Sequence, residues 1–160
     1  MQHDPAIDAE VLRLRGASDD QLRACDRERE AKRVAWYAKQ TPLPAAGDPL
    51  EKAYRLLLRK LGIDEDDAPI VRRDDTTIVF HSRNFCPTLA ACVVLGLDTR
   101  RVCRLSSEKS TDALVKLVDP RLSFSRNYQK LRPYSDSCEE SISYHDAPVG
   151  REQGKSLSSS

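Results

Sequence analysis

Prolines and glycines at helix ends constrain the fold of this chain more than any other sequence feature. An acid precedes a proline in Asp48-Pro49, and Gly62 follows one helix length later. A side-chain acceptor and a proline favour a helix start, whereas glycine favours the left-handed conformation that ends a helix. Cys86-Pro87 and Gly96 repeat this arrangement around a shorter apolar run. The pattern predicts two short helices with sharply defined ends.

The first 42 residues are predicted to form a helical segment. One helix is expected from Pro5 to Arg15, where Gly16 follows. Ser18 and Gln21 have the spacing of a capping box, which predicts a second helix running to about Lys39. The middle of that helix is almost entirely charged, so one side of it is expected to face water. Prolines between residues 41 and 47 are typical of a linker.

Beyond the linker, alternating apolar residues predict four strands. Ile70-Val71 and Thr76–His81 flank the turn signal Asp74-Asp75, which indicates a hairpin. Two further strands are expected around Leu122 and Phe124 and from Cys138 to Tyr144, the last with Cys138 and Glu140 on one side.

Helices are expected between the two pairs of strands. One begins after Cys86, another after Asp98, and a third at Thr111 with Ser110 as its cap. The prediction is an α+β fold, with a small antiparallel sheet covered by short helices and an N-terminal helical extension. The α+β domain is expected to cover residues 48–146, and the polar, Ser-rich residues 147–160 are expected to be a disordered tail.

Composition limits the functions that we expect. The formal net charge is +1, although residues 99–133 hold nine bases and three acids. No apolar stretch has the length of a membrane span, and the first residues do not resemble a signal peptide. Five cysteines, an odd number, fit free thiols or metal ligands better than a disulfide framework. The sequence therefore predicts a cytoplasmic protein that does not act at a membrane.

Cys86 is the leading candidate for chemistry. A sulfur at a helix entry lies near free N–H groups and the positive end of the helix dipole, which favour a thiolate. Candidate proton-transfer partners are His81 at the end of a strand and Glu140 on the last strand. The alternative of equal weight is that Cys86 is a structural cap packed beneath the sheet.

Metal binding is a second interpretation of the same residues. His81, Cys86, Cys92 and Cys103 supply enough nitrogen and sulfur for a zinc site, but their spacing contains no Cys-x2-Cys pair. Cys92 lies among apolar residues, which favours a buried small hydrophobe. We predict no cofactor, with zinc or iron held by His81, Cys86, Cys103 and Cys138 as the alternative.

The basic stretch around Arg126 allows two uses. Interleaved aromatic residues could bind single-stranded nucleic acid, but arginine alternating with apolar residues is also typical of a solvated strand face, and that interpretation is favoured. A more specific hypothesis is that Arg126 grips a substrate carboxylate bidentately.

Residues 78–144 resemble the L-2-amino-thiazoline-4-carboxylic acid hydrolase-like family, which is itself similar to small-molecule-binding 4-vinyl reductase domains. The matching pieces are Phe85-Cys86-Pro87, Gly96 with Cys103, the Asp-Pro-x-Leu-x-Phe segment beginning at Asp119, and the late Cys138. The resemblance implies an α+β pocket lined by Cys86, Cys103 and Cys138 and suited to a small polar molecule.

Two hypotheses follow. The first is a cysteine-dependent hydrolase acting on a carbon–nitrogen bond of a small cyclic amidine or amide, in which Cys86 attacks, His81 or Glu140 moves protons, and Arg126, Cys103 and Cys138 contact the substrate. The second is a non-catalytic sensor domain that binds a small molecule or metal. In that case the N-terminal helices would dock a protein partner or a second copy of the chain.

Overall fold

The computed structural model describes residues 3–40 and 47–145. The elements in chain order are α1 (Pro5–Leu14), α2 (Asp19–Ala38), α3 (Pro49–Leu61), a 3-10 turn (Glu65–Asp67), β1 (Ile70–Arg73), β2 (Thr77–Ser82), α4 (Pro87–Leu95), α5 (Thr99–Ser106), α6 (Glu108–Val118), β3 (Leu122–Arg126) and β4 (Cys138–Tyr144). The expected α+β class is confirmed. The predicted tail, residues 147–160, lies outside the described residues, as do residues 41–46 of the predicted linker.

Local signals place most helix ends where they were expected. Asp48 accepts a hydrogen bond from the Leu50 amide at the start of α3, and Gly62 ends that helix with a φ of 66°. The expected capping box of Ser18 and Gln21 is present at the start of α2. Each of these contacts joins residues that are close in sequence.

The start of α6 was predicted wrongly. The helix begins at Glu108 after Ser107, so Ser110 lies in its first turn and does not cap it. The cap comes from α2 instead, where the buried Asp26 carboxylate accepts hydrogen bonds from the amides of Lys109 and Ser110. A side chain more than 80 residues away therefore satisfies the free N–H groups of this helix.

The four strands form one antiparallel sheet in the order β1-β2-β4-β3. Its inner face packs against α3 and α6 through a core of apolar side chains; the sheet contributes Ile78, Phe80, Leu122, Phe124 and Ile142. The N-terminal helices cover a different part of the protein. Leu14 of α1 and Leu22 of α2 share a second apolar cluster with Ala91, Cys92 and Val102.

This packing joins α1 and α2 to the rest of the protein, because α1 contacts α4 and α2 contacts both α5 and α6. Leu14 and Leu22 are thus used within the chain, whereas Leu12 of α1 and Val34 of α2 remain exposed. Among residues 3–40 and 47–145, none of the helices combines the length and apolar character that a bilayer span requires.

Candidate functional site: an arginine-lined cavity

The inner face of the sheet changes from apolar to polar at one end. Phe80 of β2 pairs with Glu140 of β4, which pairs in turn with Arg126 of β3. Two residues further along β2, Ser82 pairs with Cys138 of β4. Because alternate residues of a strand share a face, these polar side chains lie on the face that carries the core. The helical layer does not fill the space above them, and a cavity of about 390 Å³ remains there.

The cavity is strongly basic. Among the described residues, its lining includes five arginines and two glutamates and no lysine, aspartate or histidine; these charged residues are Arg13, Arg29, Arg33, Arg126, Arg132, Glu10 and Glu140. Leu61, Ile63 and Phe85 add apolar surface. An excess of three positive charges in a partly enclosed space of low polarity attracts anions.

Arg126 and Glu140 form the central ion pair. The Arg126 Nε donates to Glu140 Oε2 over 2.8 Å, and each side chain is 12% exposed. Ser82 Oγ donates to the other carboxylate oxygen over 2.7 Å. Burial is the largest single effect on the pKa of Arg126 and lowers it, but the Glu140 carboxylate and other nearby acidic groups together raise the pKa above its ordinary value. The guanidinium is therefore charged at all ordinary pH values.

One nitrogen of Arg126 has no partner. Its Nη1 is buried and forms no hydrogen bond within the described part of the chain. A buried donor that is left unpaired costs roughly 1 to 3 kcal/mol, and more if it is charged. Arg126 lines the cavity, and its guanidinium is the candidate contact for a bound acceptor there.

Arg33 is a second arginine of the cavity, and its positive charge has no carboxylate partner among the described residues. Its Nη1 donates to Ser110 Oγ over 3.0 Å and to Thr111 Oγ1 over 2.9 Å, and no carboxylate of the described residues forms an ion pair with it. Burial, followed by the charges of Arg29 and Arg126, lowers the pKa of Arg33 to about 10. The charges of Arg29 and Arg126 thus both repel that of Arg33.

The positive charge of Arg29, unlike that of Arg33, is paired with a carboxylate, which belongs to Glu10. The Glu10 carboxylate accepts hydrogen bonds from Arg29 Nη2 over 3.1 Å and from Thr88 Oγ1 over 2.7 Å, and it pairs with Arg13. Arg29 Nη1 also donates to the Ser106 carbonyl. Glu10 is only 6% exposed, so α1 inserts a carboxylate into the wall of the cavity.

Three of the five cysteines line the cavity, and all five are free thiols. Cys86 caps α4, where its Sγ accepts a hydrogen bond from the Leu89 amide over 3.5 Å. Cys138 Sγ accepts two, from the amide and the Nε of Arg132, over 3.5 and 3.3 Å. Burial raises the pKa of Cys103 to about 11, so that thiol is protonated at neutral pH.

His81 does not belong to this group. Adjacent residues of a strand point to opposite faces, so the His81 side chain lies on the other face of the sheet from Ser82. There its Nε2 is 3.1 Å from Glu139 Oε1. Hydrogen bonds from Asn127 and then His81 lower the pKa of Glu139. The structure brings Cys86, Cys103, Cys138, Arg126 and Glu140 together at one cavity and separates His81 from them.

The metal alternative required His81 beside the three cysteines, and this arrangement is not formed. Within residues 3–40 and 47–145, no group of three or more His, Cys, Asp or Glu side chains is placed to hold a metal ion. Cys92, assigned above to the apolar interior, is 1% exposed, and burial raises the pKa of its thiol to about 12.

Sequence reasoning missed the contribution of α2. One side of the charged middle of this helix was expected to face water, but the residues on its other side were not assigned a role, and Arg29 and Arg33 line the cavity. A signal was present: Leu22, Asp26, Arg29, Arg33 and Trp36 are spaced four, three, four and three residues apart, which is the inward stripe of a helix. Charged residues occupy core positions of this stripe. Charged side chains at such inward positions require hydrogen-bond or ion-pair partners.

Comparisons with known protein families, with curated proteins and with solved structures found no match. The site itself therefore carries the functional argument.

Proposed function

We propose that the protein is a binding module for a small organic anion, whose acidic group is held between Arg126 and Arg33. The observation that carries this proposal is the buried Nη1 of Arg126, which has no partner among the described residues. Arg33 supports it, because this guanidinium donates hydrogen bonds to two hydroxyl groups and forms no ion pair with the described residues. A carboxylate placed between two guanidinium groups accepts short, charge-assisted hydrogen bonds from both of them.

The size and lining of the cavity favour a small molecule. Ligand pockets typically enclose about 300 to 1,000 Å³, are mostly apolar, and contain a few placed polar groups. The cavity, at about 390 Å³, lies at the low end of this range, and Leu61, Ile63 and Phe85 offer surface to a hydrocarbon part. We therefore propose a monocarboxylate of a few carbon atoms with an apolar body. The five free thiols are consistent with a reducing compartment such as the cytoplasm.

The test compares an acid with its neutral isostere. Butanoate and butanamide are titrated into the full chain by calorimetry, with phenyl phosphate as a separate arm for phosphoryl ligands. Butanoate is expected to bind and butanamide is not. Arg126→Gln should weaken binding by roughly 10- to 100-fold, the value of a hydrogen bond to a charged group. Arg121→Gln is the matched control, since this arginine precedes the same strand but is exposed and paired with Asp119. Equal binding of acid and amide would contradict the proposal.

A cysteine-dependent hydrolase acting on a carbon–nitrogen bond is the second candidate. It is favoured by the position of Cys86, which opens into the same cavity at the start of α4. Glu140 remains as a proton-transfer group in this proposal, although both of its oxygens accept hydrogen bonds from Arg126 and Ser82. Turnover of a cyclic amidine acid that is lost in Cys86→Ala would support it. Turnover that is unchanged in this variant would remove it.

A further inference from the structure

The sheet register places a thiol next to the proposed acid site. Arg126 lies opposite Glu140 on the neighbouring strand, and Cys138 precedes Glu140 by two residues on the same face. Arg126 and Cys138 are therefore diagonal neighbours, about 7 to 8 Å apart at the backbone. Both residues line the cavity.

The surroundings of Cys138 suit a nucleophile better than those of the other buried thiols. Its sulfur accepts hydrogen bonds from the amide and the Nε of Arg132, and the Arg132 guanidinium is fixed in turn by a 2.8 Å bond from its Nη1 to the Asn84 carbonyl. A fixed cation beside a sulfur stabilises the negative charge that the sulfur carries during attack. Cys103 lacks this advantage, because burial keeps it protonated at neutral pH.

We propose that Cys138 is an addition site for α,β-unsaturated carboxylic acids that Arg126 holds by their carboxylate. This inference rests on the proposed function, because the same arginine supplies the anchor. The β-carbon of such an acid lies two bonds from the carboxyl carbon, so a short acid bound at Arg126 brings its electrophilic carbon toward Cys138.

The addition is balanced without a further reactant. A bond forms between Cys138 Sγ and the carbon β to the activating carbonyl group, which is the ester in a half-ester and the carboxyl group in a simple acid, and the π bond breaks. Its electron pair moves to the carbon α to that carbonyl group, which takes up one proton as the thiol gives one up to solvent. Nothing is oxidised or reduced, and the product is a thioether that retains its carboxylate on the arginine.

The test uses two electrophiles that differ in one charge. The full chain is incubated with monomethyl fumarate, which has a free carboxylate, or with dimethyl fumarate, which has none. Intact-protein mass spectrometry gives the rates, and peptide mapping gives the modified cysteine. Monomethyl fumarate is expected to modify Cys138 first. Arg126→Gln should slow that reaction by about 10- to 100-fold, whereas Arg121→Gln, at an exposed arginine paired with Asp119, should leave the rates with both electrophiles unchanged. Cys138→Ser should abolish the first adduct.

A competition in the unaltered protein keeps the test independent of how Arg126→Gln folds. Monomethyl succinate, the saturated analogue, should slow labelling of Cys138 by monomethyl fumarate and not by dimethyl fumarate. If monomethyl succinate binds in calorimetry but Cys138 stays unmodified, or another cysteine reacts first, the inference is overturned and the proposed function stands. Labelling that neither competition nor Arg126→Gln affects overturns the inference as well. Failure of both acids to bind overturns both proposals.

Discussion

Replacing Arg33 by glutamine should stabilise the ligand-free protein and weaken its binding of anions. Arg33 holds a positive charge in the cavity without a paired carboxylate from the described residues, and its neighbours Arg29 and Arg126 repel it. A group that serves a ligand in this way costs stability when the ligand is absent. Replacement of a binding residue is therefore expected to raise the stability of the ligand-free protein and to lower its affinity for the ligand.

The magnitude follows from the local interactions. Lowering the pKa of Arg33 from 12.5 to about 10 corresponds to a penalty of roughly 3 kcal/mol on the charged form at neutral pH. Against this, the variant loses part of the hydrogen bonding to Ser110 and Thr111. Both hydroxyls also donate to the Ser107 carbonyl, and glutamine can replace one of the lost bonds, so this loss is about 2 kcal/mol. The net stabilisation is about 1 kcal/mol, which raises Tm by roughly 2 to 4 °C.

Thermal unfolding followed by circular dichroism measures this shift, and calorimetry with butanoate measures the binding. Arg27→Gln is the matched control, because Arg27 lies on the same helix and is exposed; its effect should stay within about 0.5 kcal/mol. A Tm of Arg33→Gln that falls clearly below that of the control would refute the reasoning, since it would mean that Arg33 stabilises the empty cavity.

Three further outcomes are expected. Glu140→Gln should lower the free energy of unfolding by about 3 to 5 kcal/mol in urea titrations, because it leaves the buried Arg126 charge without its carboxylate; a loss below about 1 kcal/mol would contradict the ion pair. Asp26→Ala should cost about 1 to 2 kcal/mol in the same assay, because the start of α6 loses its cap; an unchanged midpoint would speak against this role. Binding of butanoate should weaken as the pH is raised from neutral toward about 10, because Arg33 loses its proton there while the ligand stays charged. Calorimetry at a series of pH values checks this, and affinity that is constant over the range would count against Arg33 as a ligand contact.

Helix ends set by neighbouring residues could be predicted from the sequence, and contacts between distant residues could not. Cys86 was expected to cap α4 and does so, because proline and a side-chain acceptor act within a few residues. The start of α6 was placed at Ser110 for the same kind of reason. That prediction was wrong, because Asp26 of a distant helix supplies the cap.

The candidate site shows the same difference between features set by neighbouring residues and features set by distant contacts. Strand alternation was enough to place Cys138 and Glu140 on one face of β4. The same alternation could have shown that His81 and Ser82 point to opposite sides, but the strand was expected to end at His81, so its neighbour was not considered. Arg29 and Arg33 were missed because a charged helix segment normally faces water. Their spacing with Leu22 and Trp36 places them on one stripe of α2, and the packing of α2 on α5 and α6 turns this stripe inward.

A crystal structure of the protein with bound butanoate tests the central claim most directly. The account predicts a carboxylate oxygen within hydrogen-bond distance of Arg126 Nη1, with the second oxygen facing Arg33. An acid bound elsewhere, with Arg126 Nη1 satisfied by a group of the protein itself, would contradict it.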